Sequence, residues 1–338
     1  MNSLPEKRIT DLPVMKTRTT SQLVIAMKRL FPSSFQRELT LALLLGAPLV
    51  LGAAGIGKTF PTPEAAVTAL VAATGEHDPN ALRAIFGPAA GDIENQDHVQ
   101  ATNEHKAFVL AFNQAHRIVP ESNSKSVLEV GRDFWPFPIP LVKRDGQWFF
   151  DTEAGKEELI NRRIGKNEIA VLQSVRAYVQ AQREYASRDR DGDDVLEYAQ
   201  QFGSTAGKKD GLYWSPDLDG ELSPLGPLVA DAHAAGYGDK PKTGDDQPKP
   251  FHGYFFKILT RQGKPAPGGK YDYIINGNMI GGFALVAWPA EYGESGIMTF
   301  MVNQQGRVYQ KDLGSKTAKA VAAISAYNPD QTWTISRD

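Results

Sequence analysis

Gly52-Ala-Ala-Gly-Ile-Gly57-Lys58-Thr59-Phe60-Pro61-Thr62-Pro63 admits two readings, and the choice between them decides the fold. Its first eight residues match G-x-x-x-x-G-K-[ST] in full, behind an apolar run from Leu39 to Gly52. A phosphate cradle of this kind needs a helix that starts at the lysine, so that backbone N–H groups and the helix dipole face the phosphates. Pro61 and Pro63 oppose that. Each pushes the residue before it out of the helical region, so Phe60 and Thr62 are expected to be extended and the next helix to begin near Pro63. No apolar strand ending in Asp offers a metal-holding partner either.

The second reading is an export tag. Residues 1–38 carry Lys7, Arg8, Lys16, Arg18, Lys28, Arg29 and Arg37 against Glu6, Asp11 and Glu38. The apolar run is shorter than the roughly 20 residues of a membrane span and ends in Ala53-Ala54-Gly55. Basic stretch, short apolar core and small-residue exit are the parts of a secretory signal. Cleavage is expected after Ala54, with Ala53 the nearest alternative. Met15 and Met27 are candidate starts, which would make the preceding residues an over-extension. Removing residues 1–54 leaves 30 basic against 36 acidic residues, a net charge of −6. That balance suits a soluble periplasmic or extracellular protein, with no stable membrane span after cleavage.

The whole chain has 338 residues, 37 basic, 39 acidic and no cysteine. Without cysteine there is no disulfide scaffold, thiolate zinc site or cysteine nucleophile. Near-zero net charge gives no case for nucleic acid. An apolar content of 41% excludes wholesale disorder.

Along the body, helices are expected over Thr62–Thr74, 79–86 behind Asp78-Pro79, and Asp97–Ala115. The period then changes to two. Strands are expected at 126–130, 139–143 and 147–151, the last two joined by Asp145-Gly146. Glu157–Ser187 is the longest helical pattern, with Gly165 as a weak point where a second helix could begin. Residues 215–250 read as loop, with Gly238–Pro250 a mobile surface segment. Strands follow at 253–259, 271–275, 282–288, 297–302 and 308–310, and a helix lies within Leu313–Ala326. The expectation is an α+β chain with a domain at 55–160, similar to the cone-shaped nuclear-transport-factor-two-like fold, and a helix-plus-antiparallel-sheet domain at 161–338.

Trp135-Pro-Phe-Pro-Ile-Pro140, Ile160-Asn-Arg-Arg-Ile-Gly-Lys-Asn-Glu168, Tyr185-Ala-Ser-Arg-Asp-Arg-Asp-Gly-Asp193 and Gly281-Gly-Phe-Ala-Leu-Val-Ala-Trp-Pro-Ala-Glu-Tyr-Gly293 carry a resemblance. Through them the chain resembles an uncharacterised bacterial family, domain-of-unknown-function family 2950, over about residues 60–335. The resemblance implies an exported protein and no particular activity. The second half also resembles the globular heads of type IV pilins and pseudopilins in its order of helix, acidic loop and antiparallel sheet. It departs from them because a whole domain, not an apolar assembly helix, precedes that head.

Asp189, Asp191 and Asp193 alternate around Gly192, with Asp194 and Glu197 following. Calcium takes several hard oxygens from a short loop in which a glycine permits a sharp turn. The spacing is not that of an EF-hand, because Gly192 is fourth and Gln200 stands twelfth. The alternative is a solvated acidic loop that caps a helix starting near Asp194, with Arg188 and Arg190 countering part of the charge. His98 and His105 could share a helix face, without a third ligand. Arg162, Arg163 and Lys166 could hold an anion or pair with Glu157 and Glu158. No complete catalytic set is present, so no catalytic or nucleotide-binding residue is assigned. The expectation is an exported, non-enzymatic binding or scaffolding protein whose partner is an envelope protein or a glycan, with calcium as its one candidate cofactor. The alternative is an envelope hydrolase or carbohydrate-active enzyme using carboxylates or His252 in a cleft between domains.

Overall fold

Lys58 leads into extended chain. In the computed structural model, which describes residues 55–216, 220–237 and 249–336, Phe60 pairs with Trp148 through two backbone hydrogen bonds of 2.8 Å. The first helix, α1 (Pro63–Gly75), starts behind Thr62, whose hydroxyl accepts from the Ala65 N–H at 3.2 Å. The proline pair thus acts as a helix start beyond the lysine. Residues 1–54, where an export tag was expected, lie outside the described residues, as does 238–248 of the expected mobile loop. Among the described residues no helix is long and apolar enough to cross a membrane.

Helices α2 (Pro79–Phe86), the short α3 (Ala90–Ile93) and α4 (His98–Gln114) follow. Asp78 and Asp97 cap α2 and α4 with their carboxylates, the favourable N-terminal placement for an acceptor and a negative charge. The first sheet contains β1 (His116–Ser122), β2 (Lys125–Val130), β3 (Trp135–Pro136), β4 (Leu141–Arg144) and β5 (Gln147–Phe150). Its order is β1-β2-β4-β5, antiparallel, with β3 on the far end of β2. Asp145 (φ 50°) and Gly146 (φ 79°) make the tight β4–β5 turn. Strand β1 was not expected; Pro120 argues against a strand, and the register shifts beside it, as befits an edge. Leu70, Leu128, Ile139, Leu141 and Phe150 form the first core.

Helix α5 (Thr152–Tyr185) runs unbroken for 34 residues, about 51 Å at 1.5 Å per residue. The break expected at Gly165 is absent. That glycine is exposed and its helix propensity cost, about 1 kcal/mol, is small beside the packing on either side of it. Near its start, Gly155 lies so close to the segment ahead of β4 that an added Cβ would stand 2.5 Å from the Pro138 carbonyl oxygen. Its far end, with Val171, Val175, Tyr178 and Tyr185, enters a second core. Residue 160, the expected end of the first domain, falls within this helix.

The second core lies on the antiparallel sheet β14-β13-β12-β11-β6, built from β6 (Tyr254–Leu259), β11 (Ala284–Pro289), β12 (Met298–Asn303), β13 (Tyr309–Asp312) and β14 (Thr334–Ile335). The segment expected as one strand at 271–275 lies outside this sheet. It divides into β8 (Tyr271–Asp272), paired with β7 (Arg261–Gln262), and β9 (Ile274–Ile275), paired with β10 (Asn278–Met279). Asn276 and Gly277, both at positive φ, make the β9–β10 turn. Helix α6 (Gly226–Ala234) stands where only loop was expected, with Pro227 in its first turn. Helix α7 (Thr317–Ala322) precedes the last strand. The chain is an α+β protein.

Candidate functional site

Two polar constellations stand out: the loop after α5, and the seam between the two cores. At the loop, Asp189, Asp191 and Asp193 each offer a carboxylate oxygen within 4.8 Å of the others. Asp194 and Glu197, the other two expected ligands, are not part of that group. The Asp189 carboxylate shapes the turn, accepting from Gly192 N (2.8 Å), Asp194 N (2.9 Å) and Asp191 N (3.2 Å). These donors hold its carboxyl below the ordinary carboxylate range. Asp193 accepts from Val195 N and from Asn278 Nδ2 at 2.6 Å. Glu197 accepts from Met279 N at 2.8 Å. Burial, then the charges of Asp193 and Asp189, push the Asp191 carboxyl up. Burial foremost, with Asp191 and Asp193 adding to it, raises Glu197.

No helix begins at Asp194. That residue sits at φ 65° and irregular chain follows, so these aspartates do not cap one. The loop's arginines do not neutralise it either. Arg188 and Arg190 both reach Glu221, at 3.2 and 2.6 Å, and Arg190 stacks on Trp214 and Tyr185. Inside α5, fully buried Gln182 fixes the returning chain, donating to Ala199 O (2.8 Å) and accepting from Ala199 N (2.9 Å).

At the seam, Asn167 of α5 is fully buried. Its Oδ1 accepts from Gln100 Nε2 at 2.6 Å, and its Nδ2 donates to Ser295 O at 2.8 Å. Asp97 accepts from Gln100 N, from Tyr237 Oη at 2.7 Å and from Gly253 N at 3.3 Å. Glu168 accepts from Ile297 N and Met298 N. Arg163, expected in a basic cluster, turns inward to the carbonyls of Ile93 and Glu94. Its expected companions pair as surface cations do, Arg162 with Glu158 at 2.6 Å and Lys166 with Glu104 at 2.9 Å. A cavity of about 10 Å³ lies here, lined by Asp97, Arg163, Glu291, Glu294 and Ser295 among others. That is room for one water molecule.

His252 borders this seam at φ 51°, with its ring against Phe251 and Tyr237. Burial lowers its pKa from 6.5. Among the described residues its ring hydrogen-bonds no acid. His105 does not pair with His98; it meets His77 edge-on at 6.2 Å.

The model of a family described as "Protein of unknown function (DUF2950)" matches residues 57–335. The chain belongs to the DUF2950 family. Neither the curated proteins nor the solved structures gave a match. The DUF2950 match spans both polar constellations.

The seam was missed in sequence, although it left a signal. Asn167 interrupts the apolar stripe of α5 between Ile164 and Val171, and Gln182 does so further on. A polar residue on an apolar stripe is one whose partners lie in the core.

Proposed function

We propose that this DUF2950 protein is an exported, non-enzymatic component of the bacterial envelope that acts by binding or scaffolding. Its two cores, on this reading, work as one rigid body. The observation that carries it is Asn167, fully buried and bonded at once to Gln100 and to Ser295 O. Where a hydrolase of this layout would open a cleft, the polar side chains are spent on one another and His252 lies against aromatic rings. The basic and apolar segments ahead of Gly55 support export. The Asp189–Asp191–Asp193 corner supports a stabilising calcium ion, since its donors are the hard oxygens calcium prefers. The partner would be an envelope protein or a glycan. Mass spectrometry of the N-terminus from fractionated cells tests this. A chain starting at Gly55 outside the cytoplasm is expected, and an intact N-terminus in the cytoplasmic fraction would overturn it.

A further inference from the structure

Three of the ten exposed large hydrophobic side chains among the described residues belong to the acidic loop and the hairpin bonded to it: Leu196, Ile275 and Ile280, at 59, 47 and 43% exposure. Hydrogen bonds tie their segments together. Tyr198 N donates to Met279 O at 2.9 Å, and Gln200 Nε2 to Gly277 O at 2.6 Å. Ile275 pairs across the hairpin with Asn278, and cross-strand partners share a face. Asn278 is the residue that holds Asp193. Aliphatic and acidic groups are therefore presented on the same side of the β9–β10 hairpin.

Among the described residues, no lysine or arginine forms an ion pair with the carboxylates of that face. The carboxylate oxygens of Asp189, Asp191 and Asp193 lie within 4.8 Å of one another. Arg188 and Arg190, the neighbouring cations, are both turned to Glu221. Exposed aliphatic groups bordered by charge of one sign mark an interaction surface for a partner of the opposite sign. An anionic lipid surface or an acidic peptide would be repelled.

We propose that this face docks a cationic amphipathic segment of a partner protein. The segment's aliphatic side chains would cover Leu196, Ile275 and Ile280. Its lysines or arginines would meet Asp189, Asp191 and Asp193. This goes beyond the function proposed above, since it names the chemistry of a partner and needs neither export nor calcium.

The test is fluorescence anisotropy of the full chain with a labelled Lys/Leu amphipathic peptide, in chelator. A Glu/Leu peptide of the same pattern serves as control. The Lys/Leu peptide is expected to bind and the Glu/Leu peptide not to. Binding should weaken about tenfold in the Ile275→Ser/Ile280→Ser variant and about tenfold in the Asp191→Asn/Asp193→Asn variant, with melting temperatures no lower than that of the parent. Raising the salt several-fold should weaken it further. No binding, or binding indifferent to both variants, overturns the proposal. Self-association of the chain alone, lost in the isoleucine variant, overturns it in favour of a second copy. Neither result bears on where the N-terminus is cut.

Discussion

Gln100 of α4 and Asn167 of α5 meet amide to amide, Nε2 to Oδ1 at 2.6 Å, with both side chains buried. Asn167 spends its other end on Ser295 O. One side chain thereby joins the cap region of a first-core helix to a loop of the second core. Replacing it with Leu keeps its size and strands a donor on one side and an acceptor on the other. Each buried unpaired group costs about 1–3 kcal/mol, so Asn167→Leu should lose about 2–5 kcal/mol. Urea unfolding followed by tryptophan fluorescence would show it. A loss below about 1 kcal/mol would mean that the seam does not hold the cores together.

Gly253 sits at φ 71°, and a Cβ there would stand 2.6 Å from Asn167 Nδ2. Gly253→Ala should therefore cost the left-handed backbone penalty, about 1–2 kcal/mol, and disturb the amide chain as well. Gly192→Ala, at φ 81° with open space around the new methyl, should cost the backbone penalty alone. The difference between their melting temperatures isolates the packing contribution.

His252 and His105 both have pKa values lowered from 6.5 by burial. In the window between folded and unfolded values the unfolded chain binds more protons, so their contribution to stability is lost as pH falls below about 6.5. His252→Asn keeps a residue tolerant of positive φ and removes one of the two groups. It should unfold with a shallower dependence on pH on the acid side of neutrality, as read by melting temperature across that range. An unchanged slope would show that His252 titrates freely when folded.

The carboxyls of Asp191 and Glu197 are raised, which reverses the sign. Each binds its proton more tightly when folded, so each destabilises the protein above its folded value, and that penalty is relieved on acidification. Glu197→Gln retains an oxygen for Met279 N. It should melt higher than the parent at neutral pH, with the gap closing as pH falls through the carboxylate range.

Calcium should act on the same loop. At about 10 mM calcium, a site with a Kd of about 10⁻⁴–10⁻³ M, ordinary for extracellular modules, stabilises by about 1.4–2.7 kcal/mol. Calorimetry of the parent and of Asp191→Ala/Asp193→Ala reads it. Heat of binding in the parent only is expected; no heat in either, and no effect of chelator on melting, removes the ion.

Sequence periodicity carried most of the helices and strands because each buries one face. Ala66, Leu70 and Ala73 on α1 are an example, and Asp78-Pro79 marked the start of α2 by residue type alone. What stayed hidden depended on distant partners. Pro120 disguised β1, because an edge strand tolerates a proline that a central one does not. Gly165 mimicked a helix end, because local propensity cannot register packing at both extremities of α5. The acidic triad was legible from its alternation. The turn of Arg188 and Arg190 toward Glu221, some thirty residues on, was not.

Because α5 lends its first turns to one core and its last turns to the other, neither core owns a complete wall without it. A gene divided anywhere within codons 152–185 would yield two fragments that each expose an unfinished apolar surface. During synthesis the first core would have its closing turns at hand well before the strands of the second emerge. The helix would then project from the nascent chain as a half-dressed mast, a natural foothold for chaperones until β11 and β12 arrive.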